Sequence, residues 1–327
     1  MSLFTYCLTF GDRSENHHGM VMKGTDVGIG NGFNKDDLIN IMKHFEKNKC
    51  KCELIELNKL LKNHIDFDYN NIESAFILIV RNMIDGIIYN DDDDNYDDEH
   101  HNEADNQDNY DESHDSEDES EDESQDNDNE SDENEMEESQ DEVVKENSII
   151  TLTKEMESFK WDDKYWDKRR KKVLNKHARE NVCFDDYSSE PNYEEKKGRI
   201  VGWNDVPTLN KIRKNIEIIA GKKGMNLKCE GNKYKNDIGK DKKNGGIGWH
   251  GDAERRKVWA LRIGEKMVLK YNWWHNSKPI GDLFEVELNS GDGYIMSEKA
   301  VGYDWLKKKI YTLRHSAGST KYVSINK

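Results

Sequence analysis

His250 and Asp252, two positions apart in the stretch GGIGWHGDAERR, are the residues whose types and spacing could do chemistry. Side chains on an extended segment repeat every second residue, so both would point to the same face. A histidine far downstream, His315, could fold back beside them. Two imidazoles and one carboxylate on one face suit Fe(II) and leave positions open for a cosubstrate and oxygen. The three residues are therefore predicted to form a metal centre.

Alternatives to this metal centre remain open. The glycines just before His250 fit a close approach of backbone to a ligand, but His250 and Asp252 could also be polar loop residues with structural roles. His275, in YNWWHNSK, competes with His315 as the distal ligand. Because His275 falls before the Gly291-Asp292 turn, we favour His315.

The elements that must position these residues lie from Arg199 onward. A predicted helix over 209–220 ends at Gly221, a suitable C-cap. Short apolar runs then alternate with Gly, Asn and Asp, and Gly264-Glu265 and Ser290-Gly291-Asp292 have the composition of hairpin turns. The predicted strands are 226–229, 258–263, 266–271, 283–288 and 293–297. Several short strands with regular turns favour a sandwich or barrel, of which the double-stranded β-helix is one.

Residues 199–322 resemble the AlkB-like branch of the 2-oxoglutarate- and Fe(II)-dependent dioxygenases. The matching signals, in order, are a helix ending in Ala-Gly, Asn232-Lys233-Tyr234, a glycine-bearing turn, His250-Gly251-Asp252, a hairpin core, GDGYIM and a distal histidine. The resemblance implies that His250, Asp252 and His315 bind Fe(II). It also implies that Asn232 and Tyr234 contact 2-oxoglutarate, and that the fold is a double-stranded β-helix, or jelly roll. The expected activity is that of an oxidoreductase that hydroxylates a C–H bond.

The segment after His315 departs from the family pattern. The family places an arginine there to hold the far carboxylate of 2-oxoglutarate, whereas HSAGSTKYVSINK contains none. Lys321 is the expected substitute, as a point charge in place of a bidentate fork. Arg314 would face away from His315 on a strand. Residues 297–310 are interpreted as an insertion that lines the substrate entrance.

The charge distribution bears on the substrate. From residue 145 onward there are 39 Lys and Arg against 26 Asp and Glu, a net charge of about +13. Basic runs at Lys168–Lys172, Arg255–Lys257 and Lys307–Lys309 favour nucleic acid as the partner. The resemblance implies that hydroxylation of an N-methyl group would release formaldehyde and restore an alkylated base. A protein side-chain hydroxylase and a non-catalytic jelly-roll binding protein with an acidic interaction tail are the alternatives.

Four residues next to the predicted ligands are candidate substrate contacts: Trp249, Glu254, Arg255 and Arg256. A salt-bridged rim is the alternative for the charged residues, and core packing is the alternative for the tryptophan. Lys168–Lys172 could bind phosphates, act as a nuclear address or form a solvated helix face.

Composition divides the chain into four predicted parts. They are a small α/β domain of unknown role at 1–90, an acidic disordered linker at 91–145, a basic and aromatic helical connector at 146–198, and the dioxygenase-like domain with flanking helices at 199–327. The overall fold class is therefore α+β. Residues 1–144 hold 10 Lys and Arg against 41 Asp and Glu. The acidic run has too few apolar residues to offset its ordering entropy, and acts as a spacer or as an internal mimic of nucleic acid.

Within residues 1–90 the pattern predicts strands at 3–10 and 52–57 and helices at 36–47 and 72–88. Glu15-Asn16-His17 could be a metal or acid–base site, with loop histidines as the simpler reading. GIGNGF, at 28–33, could be a phosphate loop, although turn glycines account for it as well.

Targeting signals are lacking. No apolar run approaches the ~18–20 residues of a membrane span, and no apolar signal region follows a basic start. The five cysteines have no framework spacing. We therefore expect an intracellular protein of the cytoplasm or nucleus, neither secreted nor bound to a membrane.

Overall fold

The computed structural model describes residues 4–62, 72–88, 148–235 and 245–325. The acidic segment predicted as a disordered linker lies outside the described residues. The fold is α+β, with most of its regular structure in strands. The helices are α1 (Lys35–Lys47), α2 (Met83–Ile88), α3 (148–157), α4 (Pro207–Ala220), α5 (Glu298–Val301) and α6 (Thr320–Val323), with 3₁₀ turns at Leu57–Leu61, Trp203–Asp205 and Gly221–Lys223.

Two large sheets and two small hairpins contain the strands. The first sheet comprises β1 (Phe4–Gly11), β4 (Cys52–Glu56), β5 (Phe76–Val80), β8 (Glu180–Asp185), β9 (Ile200–Gly202), β10 (Lys228–Lys235), β12 (Val258–Gly264) and β15 (Gly293–Met296). The second comprises β11 (Gly246–His250), β13 (Met267–His275), β14 (Lys278–Leu288) and β16 (Thr312–Gly318). The hairpins are β2 (Arg13–Glu15) with β3 (Met22–Gly24), and β6 (Lys164–Asp167) with β7 (Lys172–Asn175). The sheet orders are β4-β5-β15-β12-β1-β10-β8-β9 and β11-β16-β13-β14.

Strand β1 lies in the middle of the eight-stranded sheet, antiparallel to both β10 and β12. Its side chains alternate, so that Leu8 and Phe10 enter one core while Cys7 enters the other. Because β1, β4 and β5 share a sheet with β10 and β12, residues 1–90 do not form the separate domain predicted from composition. Composition marks the acidic segment as a boundary, but it carries no signal for strand pairing across that segment.

Two hydrophobic cores lie on opposite faces of the eight-stranded sheet. Helices α1 and α4 supply Leu38, Phe45 and Ile212 to the first core, which also contains Trp259. The second core takes buried residues from both large sheets: Ala260, Tyr294 and Met296 from the first, and Leu269, Trp273, Leu313 and Ala317 from the second. The molecule is therefore layered, with helices on one face of the large sheet and the four-stranded sheet on the other.

Most predicted elements are confirmed within two or three residues, and three predictions are wrong. The expected helix at 72–88 is a fully buried strand, β5, followed by the short α2, because the β-branched run FILIV suits a sheet interior. The predicted helical connector at 146–198 contains only α3 before the β6–β7 hairpin and β8. There Trp166 lies opposite Val173, an aromatic–β-branched pair that stabilises strands. The strand expected at 226–229 begins later and runs to Lys235.

The predicted hairpin turns also have a different role. Gly264-Glu265 joins β12 to β13, which belong to different sheets, and Ser290-Gly291-Asp292 likewise joins β14 to β15. Both turns therefore carry the chain from one sheet to the other. Turn residues specify a reversal of direction but not which strands pair afterwards. Among the described residues there is no helix long and apolar enough to cross a membrane.

We expect Leu8→Ala to lower the free energy of unfolding of the whole molecule by about 2–5 kcal/mol, because Leu8 is fully buried in the central strand. Urea denaturation followed by circular dichroism measures this change. Exposed Lys43→Ala is the control and should shift the value by no more than about 0.5 kcal/mol. A Leu8→Ala protein as stable as the parent would contradict the central place of β1.

Candidate metal centre

The pairing of β11 with β16 brings two distant histidines together. His250 lies directly opposite His315 in the register, and their ring centroids are 4.4 Å apart. Asp252 follows β11, and its backbone N–H donates a 3.0 Å hydrogen bond to the carbonyl of Val301. Between them, a Cβ on Gly251 would collide with the carbonyl oxygen of Gly302, so only glycine fits there.

The three side chains present their donor atoms to one point. Asp252 Oδ1 is 3.4 Å from His250 Nε2 and 3.8 Å from His315 Nε2, and the three donor atoms lie within 4.8 Å of one another. Adjacent ligands on an ion with bonds of about 2.1 Å are about 3 Å apart, so a small closure would complete the site. Two nitrogens and one oxygen on one side of an ion form the facial arrangement typical of non-haem Fe(II). The three predicted ligands are thus brought together with a fitting donor set.

The protonation of these groups also suits a metal. The Nδ1–H of His250 donates to the carbonyl of Gly248 at 2.7 Å, which leaves the Nε2 lone pair facing the centre. Burial, reinforced by His250, lowers the pKa of His315 to about 3. Burial alone would raise the pKa of Asp252, but Arg255 and the two histidines together lower it. At neutral pH His315 is therefore a neutral imidazole and Asp252 an ionised carboxylate.

Arg255 is buried behind the metal centre. Its Nη2 lies 2.7 Å from Glu230 Oε2 and 3.0 Å from Glu254 Oε1, and its Nε lies 3.8 Å from Asp252 Oδ2. The guanidinium thus faces the outer oxygen of Asp252 while Oδ1 faces the imidazoles. Because Arg255 is only 5% exposed and shared among three carboxylates, it orients Asp252; it also lines the cavity over the metal centre, and its predicted contact with a substrate stays a prediction.

The other candidate substrate contacts divide between the cavity and the surface. Trp249 and Glu254 line the cavity above the metal centre, and the indole N–H of Trp249 donates to the carbonyl of Ser324 at 3.1 Å. Arg256 does not line it, because its guanidinium turns to Asp26 at 3.3 Å.

A cavity of about 930 Å³ lies over the metal centre, between the two sheets. Asn232 and Tyr234 both line it, as the resemblance implies for 2-oxoglutarate contacts. The side-chain oxygen of Asn232 accepts a 2.7 Å hydrogen bond from Arg179, and Tyr234 is 3% exposed. Lys321 is exposed and does not line the cavity; its Nζ lies 5.5 Å from the Tyr322 ring. The expected substitute for the family's arginine is therefore not brought into the site.

Sequence reasoning missed Arg262, a buried cation inside this cavity. It lies on β12 and is 2% exposed; its Nη1 lies 3.4 Å from the sulfur of Met267, and its guanidinium also donates to the hydroxyl of Tyr294. Its Nε has no hydrogen-bond partner, and no carboxylate of the described residues lies within ion-pair distance. A buried unpaired guanidinium is costly unless an anion binds to it. The signal was present, since VWALRI places a charge in an otherwise apolar strand.

The remaining candidates have structural roles or line the cavity wall. His275 stacks on Tyr311 at 4.6 Å and is not a cavity residue, so it does not replace His315. Within the predicted insertion, Trp305 and Leu306 line the mouth of the cavity. In the glycine-rich loop at 28–33, two backbone N–H groups donate to the carboxylate of Glu298 at 2.8 and 2.9 Å. The backbone N–H groups of this loop therefore bind the carboxylate of Glu298, and they are not free to bind a phosphate as the sequence hypothesis considered.

Fold and site together define a strand-rich α+β protein with a His-Asp-His cluster at the base of a deep cavity. No protein-family model matches the chain. It is 31% identical over 319 residues to the uncharacterized protein R156 of Acanthamoeba polyphaga mimivirus, covering 98% of this chain and 97% of the viral protein. The chain belongs to the family of that viral protein.

We expect His250→Ala to abolish stoichiometric retention of Fe(II) or Co(II), because two of the three donors cannot hold the ion alone. Metal content after anaerobic gel filtration, measured by mass spectrometry, tests this. The matched control is His275→Ala, which removes the rival imidazole outside the cavity and should leave the metal content unchanged. Loss of metal in the control and not in His250→Ala would contradict the assigned site.

Glu15 provides a pH-dependent test of the cavity wall. Burial, with Glu254 and Glu230 nearby, raises the pKa of Glu15 to about 8. The folded state therefore holds this proton more tightly than the unfolded state, and stability should fall as pH rises from about 4.5 to 8. In Glu15→Gln this loss should disappear.

The measurement is the Tm of the metal-free protein and of Glu15→Gln across that pH range. The variant should gain in Tm relative to the parent as pH rises toward 8. Parallel curves for the two proteins would show that Glu15 is not protonated in the folded cavity.

Proposed function

We propose that this protein is a 2-oxoglutarate- and Fe(II)-dependent dioxygenase of the AlkB-like type. The observation that carries the proposal is one cavity that contains both the His250–Asp252–His315 cluster and the buried, carboxylate-free Arg262. The first suits a divalent iron and the second suits an anionic cosubstrate. Bound together, Fe(II) and 2-oxoglutarate would use O₂ as the oxidant to hydroxylate a C–H bond, with release of succinate and CO₂.

The proposed fold is a double-stranded β-helix with flanking helices. Two facing sheets, a chain that passes between them at 264–265 and 290–292, and metal ligands on neighbouring strands support this interpretation. The proposed barrel differs from a self-contained C-terminal domain, because β1 from the N-terminus fills the position between β10 and β12.

In this proposal five polar residues of the cavity have a role in binding the metal and the cosubstrate. His250 and His315 donate neutral nitrogens and Asp252 donates one oxygen. Arg262, in place of Lys321, holds the far carboxylate of 2-oxoglutarate through its guanidinium, which has no carboxylate partner among the described residues and whose Nε has no hydrogen-bond partner. Tyr234, which also lines this cavity, fixes the orientation of the cosubstrate with its hydroxyl.

The favoured substrate is alkylated nucleic acid, demethylated by hydroxylation of an N-methyl group. Support comes from the basic residues at the mouth and from a cavity large enough for a cosubstrate and a base. A protein side chain is the second candidate, since Glu15 and Glu254 on the cavity wall could receive a cationic side chain.

The test is succinate release from 2-oxoglutarate by the purified protein with Fe(II), O₂ and ascorbate. Methylated oligonucleotides and peptides are supplied as substrates and analysed by mass spectrometry. No succinate above the level of His250→Ala, with any of them, would refute the enzyme and favour a non-catalytic binding protein.

Arg262→Met should weaken 2-oxoglutarate binding by about 10–150-fold, because about 1.5–3 kcal/mol of charged hydrogen bonding is lost. Calorimetry with the redox-inert Mn(II) form, together with its metal content, separates this effect from loss of the ion. Lys321→Met is the matched control and should bind 2-oxoglutarate like the parent. Equal affinity in Arg262→Met, with metal retained, would remove Arg262 from the proposed role.

A further inference from the structure

We propose that the β6–β7 hairpin is a phosphate-binding arm that holds the backbone of a single-stranded nucleic acid beside the cavity. The phosphate-binding surface is inferred from the charges and contacts of the hairpin alone. The identity of the group that enters the cavity rests on the function proposed above.

The tip of the hairpin is an uncompensated cluster of positive charge. Lys168–Lys172 provides five consecutive cations, and all five are exposed. In the part of the chain that the structure describes, none of them forms an ion pair with a carboxylate. The adjacent carboxylate of Asp167 accepts a 2.6 Å hydrogen bond from the backbone N–H of Arg170 within the turn. Such a concentration of one sign attracts a polyanion over several ångströms.

The hairpin is fixed against the wall of the cavity. Its Tyr165 ring stacks on His17 with centroids 3.8 Å apart, and Lys176, just beyond β7, donates a 3.2 Å hydrogen bond to the carbonyl of Asn16. Lys168 lines the cavity, where its Cε would lie 2.9 Å from a Cβ on Gly19. The basic tip therefore stands at the mouth of the cavity that contains the metal centre.

A second basic run continues from the lining of the same cavity. Trp305 and Leu306 line it, and the next three residues, Lys307–Lys309, are exposed. Trp249 also lines the cavity, and Arg314 lies 5.1 Å from the centre of the Trp305 ring. Two basic segments and aromatic rings around one cavity are what a flexible single-stranded nucleic acid needs, because phosphates pair with the cations and bases stack on the rings.

The chemistry of the tip favours phosphodiesters over an acidic peptide. The five side chains are hydrogen-bond donors without acceptors, which matches phosphate oxygens that only accept. A peptide strand carries backbone N–H groups that need acceptors, and the side chains of 168–172 provide none. An acidic peptide is the alternative ligand, and the experiment tests it beside the oligonucleotide.

The experiment measures binding of a fluorescent, unmethylated single-stranded oligonucleotide to the full chain in EDTA, without iron or 2-oxoglutarate. The test variant is Arg169→Ser, Arg170→Ser and Lys171→Gly. Lys171 has a left-handed backbone (φ 50°), so glycine preserves the turn while removing a charge. The control substitutes Lys43, Lys222 and Lys278 by serine, which removes the same charge from exposed sites that do not line the cavity.

The hairpin variant should bind at least tenfold more weakly, and its slope of log K against log salt should be shallower by about 2, since each lost phosphate contact contributes about 0.7. The control should bind within threefold of the parent. Unchanged affinity in the hairpin variant, or equally tight binding of a poly-glutamate peptide by the parent, would overturn the proposal. If the hairpin variant loses oligonucleotide binding but the parent releases no succinate, the phosphate-binding arm is supported and the dioxygenase is refuted. If the hairpin variant keeps its affinity and the parent releases succinate, the dioxygenase is supported and the arm is refuted.

Discussion

The carboxylate of Asp252 is the group on which the site depends, because its two oxygens face different partners. Oδ1 faces the imidazoles of His250 and His315, and Oδ2 faces Arg255. A carboxylate this buried would otherwise take up a proton, and a protonated carboxyl is a poor metal ligand. Arg255 is itself buried, so its charge requires Glu230 and Glu254 in turn. A chain of paired charges thus runs from β10 to the metal centre.

That chain exists only because strands distant in sequence pair in one register. Glu230 is on β10, which pairs with β1, and β1 in turn pairs with β12, which carries Arg262. The opposition of His250 and His315 similarly depends on β11 pairing with β16. A slip of one residue in either pairing would turn these side chains to the other face of the sheet. Iron and cosubstrate positions in the proposed enzyme are therefore set by sheet register, more than by the loop that contains the His-x-Asp pattern.

Local patterns were enough to predict most of the elements but not the strands that pair with one another. Apolar spacing located α1 and α4, and alternation located β1, because those signals arise from residues close in the chain. The His-x-Asp spacing predicted two cavity residues for the same reason. The position of β1, the burial of Arg255 and the cavity-facing side of Arg262 depend on pairings across more than a hundred residues, which no local period encodes. The basic hairpin was predicted as a helix because a run of charged residues separates the aromatic residues of β6 from the apolar residues of β7, so that no strand pattern is evident in the sequence.

Burial and partners separate three kinds of arginine that composition counts alike. Arg255 is buried and paired with carboxylates, so its charge is compensated within the protein and orients Asp252. Arg262 is buried without a carboxylate partner among the described residues, and in the proposed function it binds the anionic cosubstrate. Arg169 is exposed at the hairpin tip, where salt screens any charge more than about 10 Å away. The formal charge of −18 for the whole chain therefore does not exclude a polyanionic partner. In the proposed arm, a single-stranded nucleic acid at the cavity mouth interacts with the local cations next to the cavity lining, which are those of the hairpin tip and of Lys307–Lys309.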